Sequence, residues 1–455
     1  MRMGVVRTLA LGCASLASIL MGCGGTEVRP PGRDPEVIAM QGALGNRFVR
    51  AGEQSEIVAR LHIDASAVRG GHRPPINLAV VIDTSGSMEG APISDARAAT
   101  RALLSQLQNG DRLAVVAFSS SSEVLLPSTV IDGHSTDALG DSIDRMVAQG
   151  TTDLRGGLTA GLEEVVRHWD PTGVNRVVLL SDGVPNDATG IESMAQAAGE
   201  RSIAITALGL GLDYDETLLG AIAQRSGGRF HAVQESSAVA EVFRDEVLRL
   251  VRTVARGAYV QLSPGPGVTI VGVVGNATSA YGSGVRVEVG DLSEGEARDI
   301  LVRMQAAPRR PGATVELMDA VLHFDDAVDS AGSLERRVFL GAHASESAED
   351  LATGRDESVE RDAARMMAAE VTIRAIAMAR TGEVEEARAI LAQAAVQTQQ
   401  YATLQGDSAM GETASSMRVL DGYLPSMASS STAPAAPPPQ VYEMHDRAMA
   451  VIQGN

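Results

Sequence analysis

Residues 76–88 read INLAVVIDTSGSM, and this stretch decides the class of fold. Residues 76–82 form a short apolar run rich in Val and Ile, without the polar–apolar alternation of a half-exposed strand. Such a run belongs to a strand buried on both faces. Directly beyond it stand Asp83, Ser85 and Ser87, oxygen-bearing side chains at alternate positions, and then a helix-like stretch over 92–107. In an open α/β sheet the carboxyl end of a parallel strand is where ligands bind. One carboxylate and two hydroxyls are hard donors, suited to Mg²⁺ and poorly suited to zinc or copper.

The same strand-plus-helix unit recurs to about residue 254. Residues 113–118 (LAVVAF), 176–180 (RVVLL) and 202–208 (SIAITAL) are further apolar strands, with helical patterns over 153–168, 191–200 and 214–225. Alternating buried strands and helices predict a mostly parallel, doubly wound (Rossmann-like) α/β sheet. Two more hydroxyl- or carboxylate-bearing turns fall on its rim. Gly150-Thr151-Thr152-Asp153 precedes a helix, and Ser181-Asp182-Gly183 follows a strand. Each motif alone is an ordinary turn or helix cap.

Together, and in this order, Asp83-x-Ser85-x-Ser87, Gly150-x-Thr152 and Ser181-Asp182-Gly183 resemble the metal-ion-dependent adhesion site of von Willebrand factor type A domains. Gly110-Asp111-Arg112 before LAVVAF and the segment 207–211 match the same family, and the resemblance covers about 75–250. It carries over five metal ligands: Asp83, Ser85, Ser87, Thr152 and Asp182. The resemblance implies Mg²⁺, with Mn²⁺ or Ca²⁺ as alternates, held directly by the three hydroxyls, while the two carboxylates act mostly through water. One position is left for an outside oxygen, so the implied partner is a protein offering an Asp or Glu carboxylate.

The flanks have a different texture. Residues 56–64 (EIVARLHID) alternate with the period of a half-buried strand, and 69–75 (RGGHRPP) break it. Beyond 256, strand candidates at 258–262, 268–274, 285–289, 298–304 and 314–324 follow one another without helices. They predict an antiparallel β-sandwich, discontinuous over 46–74 and 256–345, into which the α/β domain (75–255) is inserted. Residues 350–425 are helical, with Gly382 joining two helices into a hairpin, and 426–455 read as a Ser/Ala/Pro linker and tail.

At the other end, Arg2 and Arg7 precede an uncharged run over 8–22, too short to span a bilayer. The run ends Leu20-Met21-Gly22-Cys23, which resembles a bacterial lipobox. The expectation is a signal peptide over 1–22, lipidation at Cys23 and a Pro/Gly-containing tether over 23–45. The resemblance implies a lipid-anchored, extracytoplasmic protein of the bacterial cell envelope, on the outer membrane where the host has two. Overall the arrangement is similar to bacterial lipoproteins carrying one such domain.

Composition narrows the function. Among 455 residues, 38 basic side chains face 57 acidic ones, a net charge of −19, which argues against nucleic acid as partner. Two cysteines exclude a disulfide scaffold, and 3 % aromatic content disfavours carbohydrate stacking. Phosphatases of the haloacid-dehalogenase type need a second aspartate where this chain has Ser85, and neither a Gly-x-Ser-x-Gly elbow nor a P-loop follows a strand. His62, His72, His134, His168 and His231 are scattered without metal spacing. Asp213, Asp215 and Glu216, or Asp325 and Asp326, offer carboxylates to Ca²⁺ but lack the EF-hand pattern. The expectation is therefore a non-enzymatic, metal-dependent protein-binding module. A structural scaffold with an idle metal site is the alternative, and an Mg²⁺-dependent phosphohydrolase a more distant one. Nothing in the sequence speaks to oligomeric state.

Overall fold

The computed structural model describes residues 33–67, 73–132, 136–427 and 437–454. The expected signal peptide, Cys23, His72 and His134 lie outside the described residues. Among those described, no helix is long and apolar enough to cross a membrane.

Strands β1 (Ile38–Leu44), β2 (Phe48–Arg50) and β3 (Ser55–Ala65) come first. The chain then runs through β4 (Ile76–Asp83), α1 (Ala91–Leu104), β5 (Arg112–Phe118), β6 (Ser122–Val130), α2 (Thr136–Asp144) and α3 (Leu154–Arg167). It continues as β7 (Val174–Ser181), α4 (Ile191–Gly199), β8 (Ile203–Leu210), α5 (Glu216–Ser226), β9 (Phe230–Val233) and α6 (Val239–Val251). Seven strands follow: β10 (Thr253–Pro264), β11 (Val268–Val274), β12 (Thr278–Tyr281), β13 (Gly284–Ser293), β14 (Ala297–Ala306), β15 (Thr314–Asp326) and β16 (Ser333–Ser345). The chain closes with α7 (Ala348–Thr353), α8 (Glu357–Arg380), α9 (Val384–Gln405), α10 (Ser408–Met427) and α11 (Pro439–Gln453).

The α/β sheet has the order β6-β5-β4-β7-β8-β9, parallel except for β6. Every residue of β4 is buried. Ile76, Leu78, Val80 and Ile82 enter the core beneath α1 and α6, whereas Ala79 and Val81 enter the one beneath α3. Helix α3 sits so close that a Cβ on Gly161 would stand 2.3 Å from Val81 Cγ2. The strand order reverses at β4, because the chain leaves it toward β5 and returns on its other side as β7. The crevice between the carboxyl ends of β4 and β7 is therefore the switch point of the sheet.

Two further sheets, ordered β1-β3-β14-β11 and β12-β13-β10-β15-β16-β2, pack as a sandwich, and the α/β domain is inserted between β3 and β10. Ile57, Ala59, Leu61 and Ile63 of β3 enter the sandwich core, as their alternation dictates.

Three features differ from the sequence-based expectation. Residues 38–44 fall in the expected tether yet form β1, paired from Ile38↔Ala65 to Leu44↔Ala59. Ile38, Met40 and Leu44 bury alternately, but Gln41 and Gly42 dilute the signal. The sandwich is not wholly antiparallel, because β2 lies parallel to β16. The C-terminal helices exceed a hairpin: α10 joins α8 and α9, and α11 occupies the expected tail. Helix α11 buries Tyr442, His445 and Met449 on one face, a one-turn spacing that only matters once a partner surface exists.

Candidate functional site

Three loops meet at the switch point, and main-chain hydrogen bonds hold them there. Thr84 N donates to Phe118 O (2.7 Å), Gln149 N to Thr84 O (2.7 Å) and Gly86 N to Gly150 O (3.1 Å). Asn186 N donates to Thr152 O (3.0 Å), so the loop after β7 is tied to the loop before α3. Asp153 caps α3 by accepting from Gly156 N at 3.0 Å. These bonds fix the loops independently of any ligand.

The side chains follow from that frame. Asp83 ends β4, its Oδ1 accepting from Ser85 N (2.8 Å) and its Oδ2 from Ser181 Oγ (2.8 Å). Ser87 Oγ donates to Asp182 Oδ1 (2.9 Å), Ser85 Oγ lies 2.9 Å from Ser87 Oγ, and it reaches Asp182 Oδ1 at 3.4 Å. Thr152 stands over Gly183, where an added Cβ would come within 2.9 Å of Thr152 Oγ1. The structure thus gathers Asp83, Ser85, Ser87, Thr152 and Asp182 in one place. All are buried except Ser87, which opens to solvent.

The electrostatics are those of a site short of positive charge. No Arg or His pairs with Asp83 or Asp182 among the described residues, and the chain has no Lys. Burial pushes the Asp83 carboxyl above its usual range, against the hydrogen bonds from Ser85 and Ser181. Burial, and next the neighbouring Asp83 charge, push Asp182 up to about 6. Three hydroxyls and two carboxylates with unmet charge fit a hard divalent cation. Among the described residues no group of three or more His, Cys, Asp or Glu could hold a metal, so the hydroxyls are indispensable to this reading.

Sequence reasoning named Ser181 within the Ser-Asp-Gly turn but missed its role, which is to orient Asp83. Its signal was position, the last residue of a buried strand immediately before Asp182. It also missed an outer rim in which Thr151 Oγ1 meets Ser120 Oγ (3.2 Å) and Asn186 Nδ2 (3.0 Å). Of the histidines weighed, His62 and His231 have partners of their own: His62 pairs with Asp299 at 2.7 Å and His231 with Glu246 at 3.2 Å. The acidic pairs weighed for Ca²⁺ serve the fold instead. Asp215 caps α5, Glu216 pairs with Arg380, and Asp326 accepts from three backbone N–H groups.

A doubly wound sheet whose switch point bears hydroxyls and carboxylates around an uncompensated negative centre defines a class of rim-binding α/β domain. Residues 77–246 match the model of the von Willebrand factor type A domain, and that segment of the chain is such a domain. The chain is similar to "Uncharacterized protein sll0103" of Synechocystis, 25 % identical over 60 % of this chain and 67 % of that relative. It is also similar to "Uncharacterized protein YfbK" of Escherichia coli, 30 % identical over 42 % of this chain and 34 % of YfbK. The match thus spans about a third of YfbK's length. In fold, a solved von Willebrand factor type A protein from Catenulispora acidiphila shares 92 % of this chain and 96 % of its own, with a TM-score of 0.66 and 18 % identity. The ArnB paralog VWA2 of Sulfolobus acidocaldarius covers 91 % of this chain and 98 % of its own, with a TM-score of 0.58 and 15 % identity. These two likenesses extend across the sandwich and helices as well as the α/β domain.

Proposed function

We propose that this chain is a non-enzymatic adhesion protein of the bacterial cell envelope that captures a protein partner through Mg²⁺ at the β4–β7 rim. The observation that carries the reading is the pair of buried carboxylates, Asp83 and Asp182, without a cationic partner and ringed by hydroxyls. Ser85, Ser87 and Thr152 would hold the ion, with Asp83 and Asp182 supplying charge around it. Bound there, the cation supplies an electron-poor contact for an outside carboxylate oxygen. Exposure at Ser87 and Gly86 leaves the approach open. The neutral donors favour adhesion over hydrolysis, since no acid stands where a phosphatase would need its proton donor. Anchoring through Cys23 completes the proposal and rests on the lipobox resemblance.

The test is affinity capture of envelope proteins by the full chain, with Mg²⁺, with chelator, and with Asp83→Ala. The expected result is capture only by the wild type in Mg²⁺. Capture that survives both chelation and Asp83→Ala places the interface elsewhere and favours the scaffold reading.

A further inference from the structure

We propose that the groove between α8, α10 and α11 binds a small anionic amphiphile of the fatty-acid class. Its volume is about 400 Å³, inside the ~300–1,000 Å³ range of small-molecule sites. Met410, Met417, Leu420, Met444 and Val451 form its apolar wall. The space exists because Ala369, Thr413, Ser416 and Ala448 are small where three helices face one another. Protein interiors ordinarily close such gaps, and methionines are the side chains best able to adapt to a flexible chain.

Charge supplies the second half of the argument. Arg365 of α8 and Arg447 of α11 both line the groove. Both are exposed to solvent, and neither makes a hydrogen bond or an ion pair among the described residues, in a chain of net charge −19. Of the two carboxylates in the lining, Asp407 accepts from Met410 N (3.1 Å) and faces Arg361 at 3.8 Å. Glu412 alone remains against two guanidiniums. Their planar forks match a carboxylate head group, and their methylene stems extend the apolar wall. An apolar chain between the methionines, with its anionic head at Arg365 and Arg447, satisfies both features at once.

The experiment is titration of the full chain with dodecanoate and, separately, with dodecyltrimethylammonium, below their micelle-forming concentrations. Dodecanoate is expected to bind at least tenfold more tightly than the cation of equal chain length. The double variant Arg365→Gln/Arg447→Gln should erase that preference, and Ser416→Leu, which fills the groove, should weaken dodecanoate at least tenfold. Circular dichroism checks that each variant is folded, and Thr413→Leu serves if Ser416→Leu is not. Equal affinity of the wild type for the two amphiphiles overturns the proposal without any variant. So does undiminished dodecanoate binding by a folded, groove-filled variant.

Discussion

Replacing Glu296 by Gln should loosen the α/β domain from the sandwich. Glu296 lies in the turn between β13 and β14, nearly sealed from solvent. Its carboxylate meets Arg298 of β14 (2.6 Å), Arg249 of α6 (2.7 Å) and Arg229 just before β9 (2.8 Å), and accepts from Ser293 N at 3.2 Å. Burial alone would raise its pKa, but the charges of Arg298, Arg229 and Arg249 reverse this and hold it at about 2, against an ordinary 4.5. At ~1.36 kcal/mol per pH unit, that depression corresponds to about 3 kcal/mol of folding stability at neutral pH. Because the folded pKa is the lower one, this stability is complete above about pH 4.5 and drains away as pH falls toward 2. Glu296→Gln removes the charge and leaves three guanidiniums crowded around a neutral amide, a loss of ~3–5 kcal/mol for a broken buried pair. Urea unfolding followed by Trp169, the only tryptophan in the chain, reports the α/β domain directly. The gap between wild type and variant should be widest at pH 7 and shrink as pH falls below 4.5. A variant within ~1 kcal/mol of wild type at pH 7, or a gap indifferent to acid, refutes the reasoning.

Other consequences are narrower. Gly183→Ala places a methyl group within 2.9 Å of Thr152 Oγ1, so the hydroxyl must turn away. Calorimetric titration should show Mg²⁺ affinity about tenfold weaker (~1.4 kcal/mol) with the fold intact, and unchanged affinity would remove Thr152 from the ligand set. His445 is buried edge-on to Phe230 at 5.6 Å with both ring nitrogens unpartnered, and burial, then the Arg380 charge, push its pKa down to about 3. Its folded pKa lies below the ordinary 6.5, so its contribution is complete above pH 6.5 and declines by ~1.4 kcal/mol per pH unit below it. Thermal melts at pH 7.5 and 5 should therefore show His445→Leu losing less stability in acid than the wild type. Equal losses would mean that His445 does not titrate inside the fold.

Much of the candidate site was legible because its residues sit where local patterns end. Asp83 closes a buried run, Ser85 and Ser87 follow at fixed spacing, and Asp182 opens the turn after another such run. Thr152 stands immediately before the Asp153 helix cap. The architecture was legible where the period was strong, as in β3 and β4. It failed at β1, whose alternation is interrupted by Gln41-Gly42, and at α11. There, Tyr442 and His445 look like an unremarkable polar tail until Tyr214 and Phe230 stand opposite them, at ring distances of 5.2 and 5.6 Å.

By itself, the sequence determined the doubly wound sheet and the three turns at its rim, because each is written in a few neighbouring positions, and the family resemblance picked out five candidate residues within those turns. Only the tertiary structure decided what joins the parts. Arg229, Arg249 and the neighbouring Glu296 and Arg298 converge from three separate places in the chain, and Arg380 of α8 reaches Glu216 of α5. In sequence these are scattered charges with the appearance of a solvated surface. Their meaning depends on burial, which strips away the competing water and makes each charge require its partner.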